Sequence, residues 1–577
     1  MKKKLLPALI VTGLIILVVI IMGITALINK YTPTKKTEDL KEYFNISSDD
    51  EAALIVDNEL SDYKAKIIDK KIYVDYKFVH DSLNSRFYWD ANENVLLYTT
   101  ASDIISAAAD SNSYSVTKQT NDFGYPIVKA TSDSALIALD YVKQYSNITF
   151  KSYDDPARIV ITSKWDEIDS ATVSKSTQVR VKGGIKSPIL KEVKKDDKIT
   201  ILDSGDKWDK VATEDGVIGY IKSKALSESK KTKLTNPDYE EETFTHIKKD
   251  KDICLAWNQV TSQSANSKVP QVISSTKGIN VMSPTWFYLN DNNGNLADIA
   301  SKDYVSYCHS QGIEVWGLFS NFENTDVDAA YVLTHTSTRT TLINQIMSAA
   351  FNYELDGVNI DFENITEAAY GDSYIEFIRE LAIKCHNNGI SLSVDVTVPA
   401  SFNKFFNRSD MANFADYIVI MGYDEHYKGS DAGSVSSIPW VTEGVESTLK
   451  EVPADQIILG MPFYTRIWEL TPKEDDDAVT DTEDQSKYTV ASQVYSMDAA
   501  AAQLATNNAT AALDEKSGQN YAEWSASNKL YKVWLEDSTS LEKRLKLVDD
   551  NKLAGAAFWK LGFENSSVWD TVIKYLD

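Results

Sequence analysis

The chain has 577 residues, enough for roughly three or four domains of about 150 residues each. It carries 59 Lys and Arg against 84 Asp and Glu, so its formal net charge is −25. This charge repels polyanions, and we expect no nucleic acid partner. Hydrophobic residues make up 43% of the chain and aromatic residues 11%, which excludes global disorder. The three cysteines cannot supply a disulfide framework.

An apolar segment follows the amino terminus. Residues 2–4 are lysines, and residues 5–28 are almost entirely apolar. A helix of this length can cross the hydrocarbon core of a bilayer, which is about 30 Å thick. The lysines should stay cytoplasmic, so we predict an anchor over residues 1–30 and a single-pass membrane protein with extracellular domains. A cleaved signal peptide is the alternative, although residues 25–27 make a poor cleavage site.

Two modules are predicted before the carboxy-terminal half. Residues 31–50 are polar and predict a juxtamembrane linker. Residues 51–165 combine short strands with helices in an α+β pattern that resembles the amino-terminal stalk domain of copper amine oxidases and many bacterial surface proteins. The resemblance implies only a spacer. This segment has no His and Cys cluster that could hold copper, and we predict no metal site there.

Residues 171–226 contain short alternating strands separated by Gly and Asp. This pattern is typical of a small β-barrel and resembles a bacterial SH3-type domain. The resemblance implies contact with a wall peptide or wall glycan through Trp208 and Tyr220. A rigid spacer with aromatic core residues is the alternative, and the sequence does not choose between them. Residues 227–244 are charged and predict a second linker.

The remaining chain, residues 245–577, repeats one β/α unit. Eight short apolar strand candidates begin near Ile253, Asn280, Glu314, Gly357, Ser391, Tyr417, Gln456 and Gly555. Most are separated by amphipathic helices, and alternating strands and helices favour parallel pairing. Eight such units close into a (β/α)8 barrel, so the predicted fold class is α/β.

Two of the predicted helices end in the same pattern, at residues 308–313 and 385–390. Each segment has Cys-His, then two polar residues, then Gly-Ile, as expected for a helix end, a glycine stop and a strand. Adjacent Cys and His side chains on a helix point in different directions. Each Cys also fits an apolar stripe, so we predict core positions and no metal.

The fourth predicted strand carries the candidate catalytic residues. Within residues 356–363, strand alternation directs Asn359, Asp361 and Glu363 into the barrel and the intervening apolar residues towards the helices. Buried carboxylates cost free energy unless they are paired or protonated. Crowded acids raise one another's pKa, which yields a neutral proton donor beside an ionised partner. General-acid cleavage of a glycosidic bond needs this arrangement, but an inactive polar cleft would show the same pattern.

The segment over residues 356–363 reads D-G-V-N-I-D-F-E. It resembles the D-G-x-D-x-D-x-E signature of glycoside hydrolase family 18. Further segments match the family in the same order: Ser283 and Trp286 after strand two, Met421-Gly422-Tyr423-Asp424 at strand six, residues 459–464 at strand seven and residues 557–559 at strand eight. The resemblance covers residues 245–577.

The resemblance implies retaining hydrolysis of β-1,4-linked N-acetylhexosamine polymers, in which the substrate's own acetamido oxygen attacks the anomeric carbon. Glu363 matches the general acid, Asp361 the residue that orients the acetamido group, and Tyr423 the hydroxyl that holds the acetamido oxygen. The implied substrate-binding residues are Asn359, Trp286, Met421, Asp424, Tyr464 and Trp559. The mechanism needs no metal or cofactor, and we expect a monomer.

Asn359 departs from the family pattern, which usually has Asp at this position. We expect its amide to donate a hydrogen bond to Asp361, so that activity survives with a shifted acidic limb of the pH profile. Asn at this position also resembles the branch associated with spore-cortex and cell-wall glucosaminidases, which favours peptidoglycan over chitin. A catalytically weak or inactive, lectin-like glycan-binding protein on the same barrel is the alternative function. A purely structural wall scaffold would not explain the inward carboxylates.

Residues 469–530 form an insertion that is longer than a standard loop after a strand. We predict that it forms one wall of the cleft. The acidic residues between 474 and 484 could bind calcium, but they lack the register of a Gly-turn loop. A solvated acidic loop is therefore the simpler interpretation.

Overall fold

The computed structural model describes residues 5–363, 365, 368–473 and 484–576. The chain divides into two compact units. The first unit comprises residues 1–89, 107–114 and 121–241, and the second comprises residues 90–106, 115–120 and 242–577.

The first unit begins with a long apolar helix, α1 (Leu5–Tyr31), of 27 residues. Its large apolar side chains are exposed, and Leu9–Tyr31 is long and apolar enough to cross a membrane. A signal sequence near the amino terminus would have the same properties.

Short strands make up most of the chain between residues 51 and 233. In chain order they are β1 (Glu51–Val56), β2 (Glu59–Ile68), β3 (Lys71–Asp75), β4 (Phe87–Asp90), β5 (Val95–Thr99), β6 (Ile104–Ala108), β7 (Ser113–Val116), β8 (Gln119–Asp122), β9 (Val128–Ala130), β10 (Ala135–Ala138), β11 (Thr149–Tyr153), β12 (Arg158–Thr162), β13 (Glu167–Thr172), β14 (Thr177–Arg180), β15 (Ile189–Val193), β16 (Lys198–Asp203), β17 (Trp208–Thr213), β18 (Ile218–Lys222) and β19 (Lys230–Lys233). The short helices among them are α2 (Leu40–Tyr43), α3 (Tyr76–Ser82) and α4 (Leu139–Gln144).

Two seven-stranded sheets form from these strands. The first has the strand order β11-β12-β1-β2-β3-β10-β9, and the second has the order β15-β14-β18-β17-β16-β13-β19. The second sheet starts before and ends after the predicted range 171–226. β19 lies in the predicted second linker and pairs with β13. The linker prediction is therefore wrong for this strand, whose charged side chains are compatible with an exposed sheet edge.

Residues 31–50 are packed structure and not the predicted linker. The backbone N–H of Thr34 donates to the carbonyl of Ile185 at 2.8 Å. Phe44 is fully buried in the apolar cluster beneath the second sheet, and the Tyr43 hydroxyl donates to the carbonyl of Ile218 at 2.6 Å. The polar composition of this segment concealed these few anchoring contacts, which depend on residues distant in sequence.

Truncation of Phe44 tests this packing. Phe44→Ala is expected to lower the free energy of unfolding by about 3–5 kcal/mol, because it removes a fully buried aromatic ring. Calorimetry on the full chain in detergent measures the change. Phe351→Ala makes the same substitution at a residue that is 56% exposed and serves as the control. Equal losses in the two variants would contradict the packed arrangement.

The second unit contains the barrel. Its remaining strands are β20 (Ile253–Asn258), β21 (Val281–Leu289), β22 (Leu296–Asp298), β23 (Glu314–Ser320), β24 (Gly357–Asp361), β25 (Ser391–Thr397), β26 (Tyr417–Met421), β27 (Ile457–Pro462), β28 (Tyr464–Pro472), β29 (Tyr488–Ser496), β30 (Ala512–Asp514), β31 (Gln519–Ala526), β32 (Lys529–Leu535) and β33 (Gly555–Trp559). Its helices are α5 (Val269–Ile273), α6 (Lys302–Ser310), α7 (Ala329–Thr334), α8 (Thr336–Tyr353), α9 (Ala368–His386), α10 (Arg408–Phe414), α11 (Ile438–Thr448), α12 (Met497–Thr506), α13 (Ser538–Asn551) and α14 (Trp569–Val572).

Eight parallel strands close the barrel in the order β20-β21-β23-β24-β25-β26-β27-β33. β20 pairs with both β21 and β33, which closes the ring. Every predicted strand start lies at or next to one of these strands, so the (β/α)8 prediction is confirmed. The apolar side chains of β24 face the helices as predicted: Phe362, just after the strand, stacks on Phe377 of α9 with a centroid distance of 5.4 Å.

The two related helix ends make equivalent contacts. His309 Nε2 lies 2.8 Å from a carboxyl oxygen of Asp356, and His386 Nε2 lies 3.1 Å from one of Asp416. Each aspartate directly precedes a barrel strand and also accepts a backbone N–H from the preceding strand. The three cysteines are buried thiols, in agreement with the predicted core positions. The repeated Cys-His pattern thus joins helix ends to the amino-terminal ends of the strands.

The insertion is a small sheet with a helix. Its strand order is β29-β28-β32-β31-β30, and α12 connects β29 to β30. It begins at Tyr464 and ends at Leu535, so it is longer than the predicted range 469–530. Residues 474–483, which hold most of the acidic run considered for calcium, lie outside the described residues.

Candidate active site

Three inward side chains mark the carboxyl end of β24. Asn359 is fully buried, and Asp361, the last residue of the strand, is 8% exposed. Glu363 follows the strand and is exposed at the mouth of the barrel. In a (β/α)8 barrel the loops at this end carry the chemistry. The structure therefore brings the three predicted residues to the expected position, at increasing height along one face.

Asn359 is held by four hydrogen bonds. Its Oδ1 accepts from Trp257 Nε1 and Ser283 Oγ, each at 3.0 Å. Its Nδ2 donates to Ser393 Oγ at 3.0 Å and to Asp395 Oδ1 at 2.7 Å. The indole N–H is only a donor, so it fixes the orientation of the amide. Both hydrogens of the Asn359 amide are thus donated to residues of β25. The predicted hydrogen bond from Asn359 to Asp361 is therefore wrong.

Two buried carboxyls lie side by side beneath Glu363. Burial, together with the nearby charges of Asp395, Glu363 and Glu323, raises the pKa of Asp361 well above its usual range. Burial raises the pKa of Asp395 to about 8, although the hydrogen bond that Asp395 accepts from the Asn359 amide acts in the opposite direction. Asp395 is absent from the predicted site. Strand alternation along β25 places it on the inward face, and this signal was present in the sequence.

Asn321 holds the backbone of Glu363. Its Oδ1 accepts the Glu363 N–H at 2.8 Å, and its Nδ2 donates to the Glu363 carbonyl at 2.9 Å. Partial desolvation of its carboxyl group at the barrel mouth, followed by the charges of Asp424 and Glu323, raises the pKa of Glu363. A raised pKa keeps this carboxyl protonated at a higher pH, as a proton donor requires. Asn321 follows β23 and is a second functional residue that sequence reasoning missed.

Tyr423 lies between two other aromatic residues of the site. Its ring centroid is 6.4 Å from that of Trp257 and 6.3 Å from that of Tyr464. Burial, followed by the charges of Asp395 and Asp361, raises the pKa of Tyr423 well above its usual range. The hydroxyl therefore stays protonated and can donate a hydrogen bond.

Tyr464 and Asp424 form a pair at the start of the insertion. The Tyr464 hydroxyl donates to Asp424 Oδ1 at 2.5 Å, and Arg466 lies 3.7 Å from the same oxygen. The Asp424 side chain is 49% exposed, so one side of this carboxyl can reach a ligand. Both residues belong to the predicted substrate-binding set.

Trp559, at the end of β33, is half-buried. Its ring meets that of Trp257 edge to face with a centroid distance of 6.0 Å. Trp257 is itself 1% exposed, so it supports the other rings and does not offer a free face. A partly open indole at this position can pack against a sugar ring.

Trp286 lies away from the cleft, so its predicted contact with substrate is wrong. It is fully buried, and its Nε1 donates to Asn266 Oδ1 at 2.8 Å. Its ring packs against Tyr304 at 4.9 Å. Ser283 points into the barrel, and strand alternation places a side chain three residues later on the opposite face.

A cavity of about 390 Å³ adjoins the candidate acid. Glu363 and Asp395 line it together with Met421, which the sequence placed in the substrate-binding set. Aromatic residues 402, 405 and 406 form its apolar wall, and Phe402 is 77% exposed. The size and mixed lining suit a sugar-sized ligand placed directly against the carboxyl group.

Comparisons with known proteins agree with this geometry. Residues 324–564 match the model of glycosyl hydrolases family 18. The chain is 24% identical over 301 residues to the uncharacterized glycosylase YvbX of Bacillus subtilis (strain 168), a match that covers 49% of this chain and 81% of that protein. It is also 24% identical over 287 residues to the cortical fragment-lytic enzyme of the same organism, covering 48% of this chain and 63% of that protein.

A solved structure shows the same fold. The crystal structure of the C-terminal domain of a candidate chitinase from Desulfitobacterium hafniense DCB-2 has a TM-score of 0.50 at 18% identity, and the match covers 57% of this chain and 100% of that domain. With the acids at the carboxyl end of β24, the match of residues 324–564 to glycosyl hydrolases family 18 and the similarity to these relatives support glycoside hydrolase activity.

Proposed function

We propose that the protein is a membrane-anchored extracellular glycosidase that hydrolyses β-1,4 bonds of N-acetylhexosamine polymers by retaining, substrate-assisted catalysis. The observation that carries this proposal is the pairing of two acids at the barrel mouth. Asp361 is buried, whereas Glu363 reaches solvent and has a raised pKa. One acid can therefore deliver a proton to a bound sugar while the other holds a polar group below it.

In the first step Glu363 gives its proton to the glycosidic oxygen as the bond from that oxygen to the anomeric carbon breaks. The substrate's acetamido oxygen forms the new bond to that carbon, so the nucleophile comes from the substrate. Asp361 accepts a hydrogen bond from the acetamido N–H and offsets the developing positive charge. Tyr423 donates its hydroxyl hydrogen to the acetamido oxygen.

In the second step the Glu363 carboxylate takes a proton from water, and the water oxygen attacks the anomeric carbon. The bond to the acetamido oxygen breaks, which restores the acetamido group and the protonated Glu363. Two inversions at one carbon give net retention. Glu363 carries out both proton transfers in this scheme: it donates a proton in the first step and accepts one from water in the second.

We propose peptidoglycan as the preferred substrate. The cortical fragment-lytic enzyme among the relatives and the Asn at position 359 both favour a wall glycan over chitin. The apolar helix α1 supports a retained anchor that would keep the enzyme next to the cell wall.

We also propose that the sheet over residues 167–233 is the SH3-type module and that residues 51–165 form the stalk. In the SH3-type module Lys222 Nζ lies 5.8 Å from the Trp208 ring centroid.

Digestion experiments test the proposal. The full chain in detergent is incubated with purified peptidoglycan and with chitin oligomers, and reducing ends are counted. We expect more release from peptidoglycan, with the β-anomer formed first in NMR spectra of the products. An initial α-anomer would contradict retention. The absence of release from both polymers would favour a lectin-like glycan-binding function.

Tyr423→Phe removes one hydroxyl from the proposed acetamido site. We expect kcat to fall by about 10²-fold with little change in KM, since the hydroxyl stabilises charge that develops in the transition state. Tyr427→Phe is the control, because this tyrosine is 57% exposed. Steady-state kinetics on soluble glycan oligomers measure both values. An unchanged kcat would remove Tyr423 from the mechanism.

A further inference from the structure

Asp395 is a buried acid that the mechanism above does not use. β24 and β25 pair in parallel, with Asn359 opposite Ser393. Two residues further along each strand, the same register places Asp361 opposite Asp395. Residues two apart on a strand share a face, and neighbouring strands lie about 4.8 Å apart. The two carboxyls are therefore cross-strand neighbours on the inward face of the barrel.

The charged groups around this pair are acidic. Asp361 is 8% exposed and Asp395 is 3% exposed. Asp361 Oδ1 is buried without a hydrogen-bond partner. The charged groups that act on the pair are Glu363 and Glu323, both acidic. In the part of the chain that the structure describes, no Lys or Arg forms an ion pair with either carboxyl.

Two adjacent buried carboxyls in such surroundings hold one proton between them, because both cannot ionise without a large cost. They titrate as a pair, and the first proton leaves more easily than the second. Burial, which raises the pKa of Asp395 to about 8, agrees with a proton that is retained at neutral pH. The pair therefore retains a proton near pH 7.

We propose that Asp395 is a positioning residue that shares one proton with Asp361 and takes it over when the substrate's acetamido N–H needs Asp361 as an acceptor. This inference rests on the proposed function. In the transfer an O–H bond breaks on Asp361 and one forms on Asp395, so the net charge of the pair does not change. Asp361 becomes ionised without releasing a proton to the closed site.

Asn359 has a defined part in this arrangement. Its amide donates to Asp395 Oδ1 at 2.7 Å, which leaves Oδ2 as the atom that can carry the shared proton. The family usually has a carboxyl at position 359. In this chain the second carboxyl stands instead on the neighbouring strand, and the amide holds it in place.

The test compares Asp395→Asn with Ser393→Ala in the full chain. Both residues accept a hydrogen bond from the same Asn359 amide. Asp395→Asn removes the ionisable carboxyl but keeps an acceptor oxygen, whereas Ser393→Ala removes an acceptor and no carboxyl. In Asp395→Asn we expect the acidic limb of kcat/KM to move up by about one pH unit or more, because Asp361 has no buried partner to take its proton. Ser393→Ala should keep the position of both limbs even where its rate falls.

A second readout needs no activity. A carboxyl whose pKa is raised in the folded state binds its proton more tightly when folded, so stability is lost as pH rises from about 4 towards 8. Calorimetry should show a smaller fall in Tm over this range for Asp395→Asn than for the wild type. Acids with a raised pKa that lie away from the pair, such as Glu536, contribute equally to both proteins. If no glycan is cleaved, this measurement alone decides whether the pair holds a proton.

A carboxyl swap completes the test. Asn359→Asp/Asp395→Asn returns the second carboxyl to β24, and we expect the acidic limb to return towards its wild-type position. Asn359→Asp alone adds a third carboxyl and should also shift this limb. Wild-type and Asp395→Asn profiles that superimpose, with equal Tm changes against pH, would overturn the proposal. Equal shifts in Asp395→Asn and Ser393→Ala would assign Asp395 a purely structural role and would overturn it as well.

Discussion

Replacing Glu363 by Gln is expected to lower kcat by about 10²–10⁴-fold, the contribution typical of general acid-base catalysis. The substitution keeps the size and the hydrogen-bonding shape of the side chain but removes the transferable proton. Two hydrogen bonds between the Asn321 side chain and the backbone of Glu363 hold this segment in place, so the fold around the site should not change. Reducing-end release from peptidoglycan and chitin oligomers measures the loss.

The pH profile adds a second signature. Since burial and neighbouring acids raise the pKa of Glu363, the wild-type enzyme keeps its proton donor to a higher pH and loses activity as pH rises through that raised value. Glu363→Gln should show no such basic limb in its residual activity. Glu443→Gln is the matched control, because Glu443 is exposed on α11. Binding of chitin oligomers by calorimetry should persist in the variant, and equal rates in wild type and variant would favour the glycan-binding alternative.

A large expected effect on stability comes from Arg379, on the helix that follows the catalytic strand. Its Nη1 lies 2.9 Å from Glu376, and its Nη2 donates to Asp410. The side chains of Arg379 and Glu376 are 4% and 0% exposed. Arg379→Met leaves two carboxylates without this cation in the core, and we expect a loss of about 3–5 kcal/mol in the free energy of unfolding.

Protons can partly replace the missing charge. The variant should therefore be less destabilised at pH 5 than at pH 8, because its unpaired carboxylates can be neutralised at the lower pH. The triple variant Glu376→Gln/Arg379→Met/Asp410→Asn should recover most of the loss, since it removes all three charges together. Lys450→Met, at an exposed position, should change stability by less than about 0.5 kcal/mol. A similar change in Arg379→Met would show that the ion pairs add little.

Strand positions and the catalytic segment were predictable because their signals are local. The apolar runs and glycine stops located all eight barrel strands, and alternation along β24 placed Asn359, Asp361 and Glu363 on one face. The alternation of side chains along β21 also applies to Trp286. It contradicts the expectation, taken from the family resemblance, that Trp286 contacts the substrate. Trp286 is three positions after Ser283 on the same strand, so the two side chains face opposite ways.

Other features depended on which distant segments meet. A polar stretch with three aromatic residues looked like a linker, yet Phe44 packs in a core with residues of the second sheet. Asn359 could donate to any nearby acceptor, and only the pairing of β24 with β25 directed its amide to Asp395. The amino-acid composition of a segment does not reveal which distant segments it contacts.

The sequence by itself determined the α/β alternation, the barrel and the position of the acid on its fourth strand, because each is set by the periodicity of neighbouring residues. Only the tertiary structure decided that Asp361 stands beside a second buried carboxyl and that Trp286 is withdrawn from the cleft. Strand register brings together residues far apart in the chain, and a carboxyl's proton affinity depends on those neighbours and on its burial.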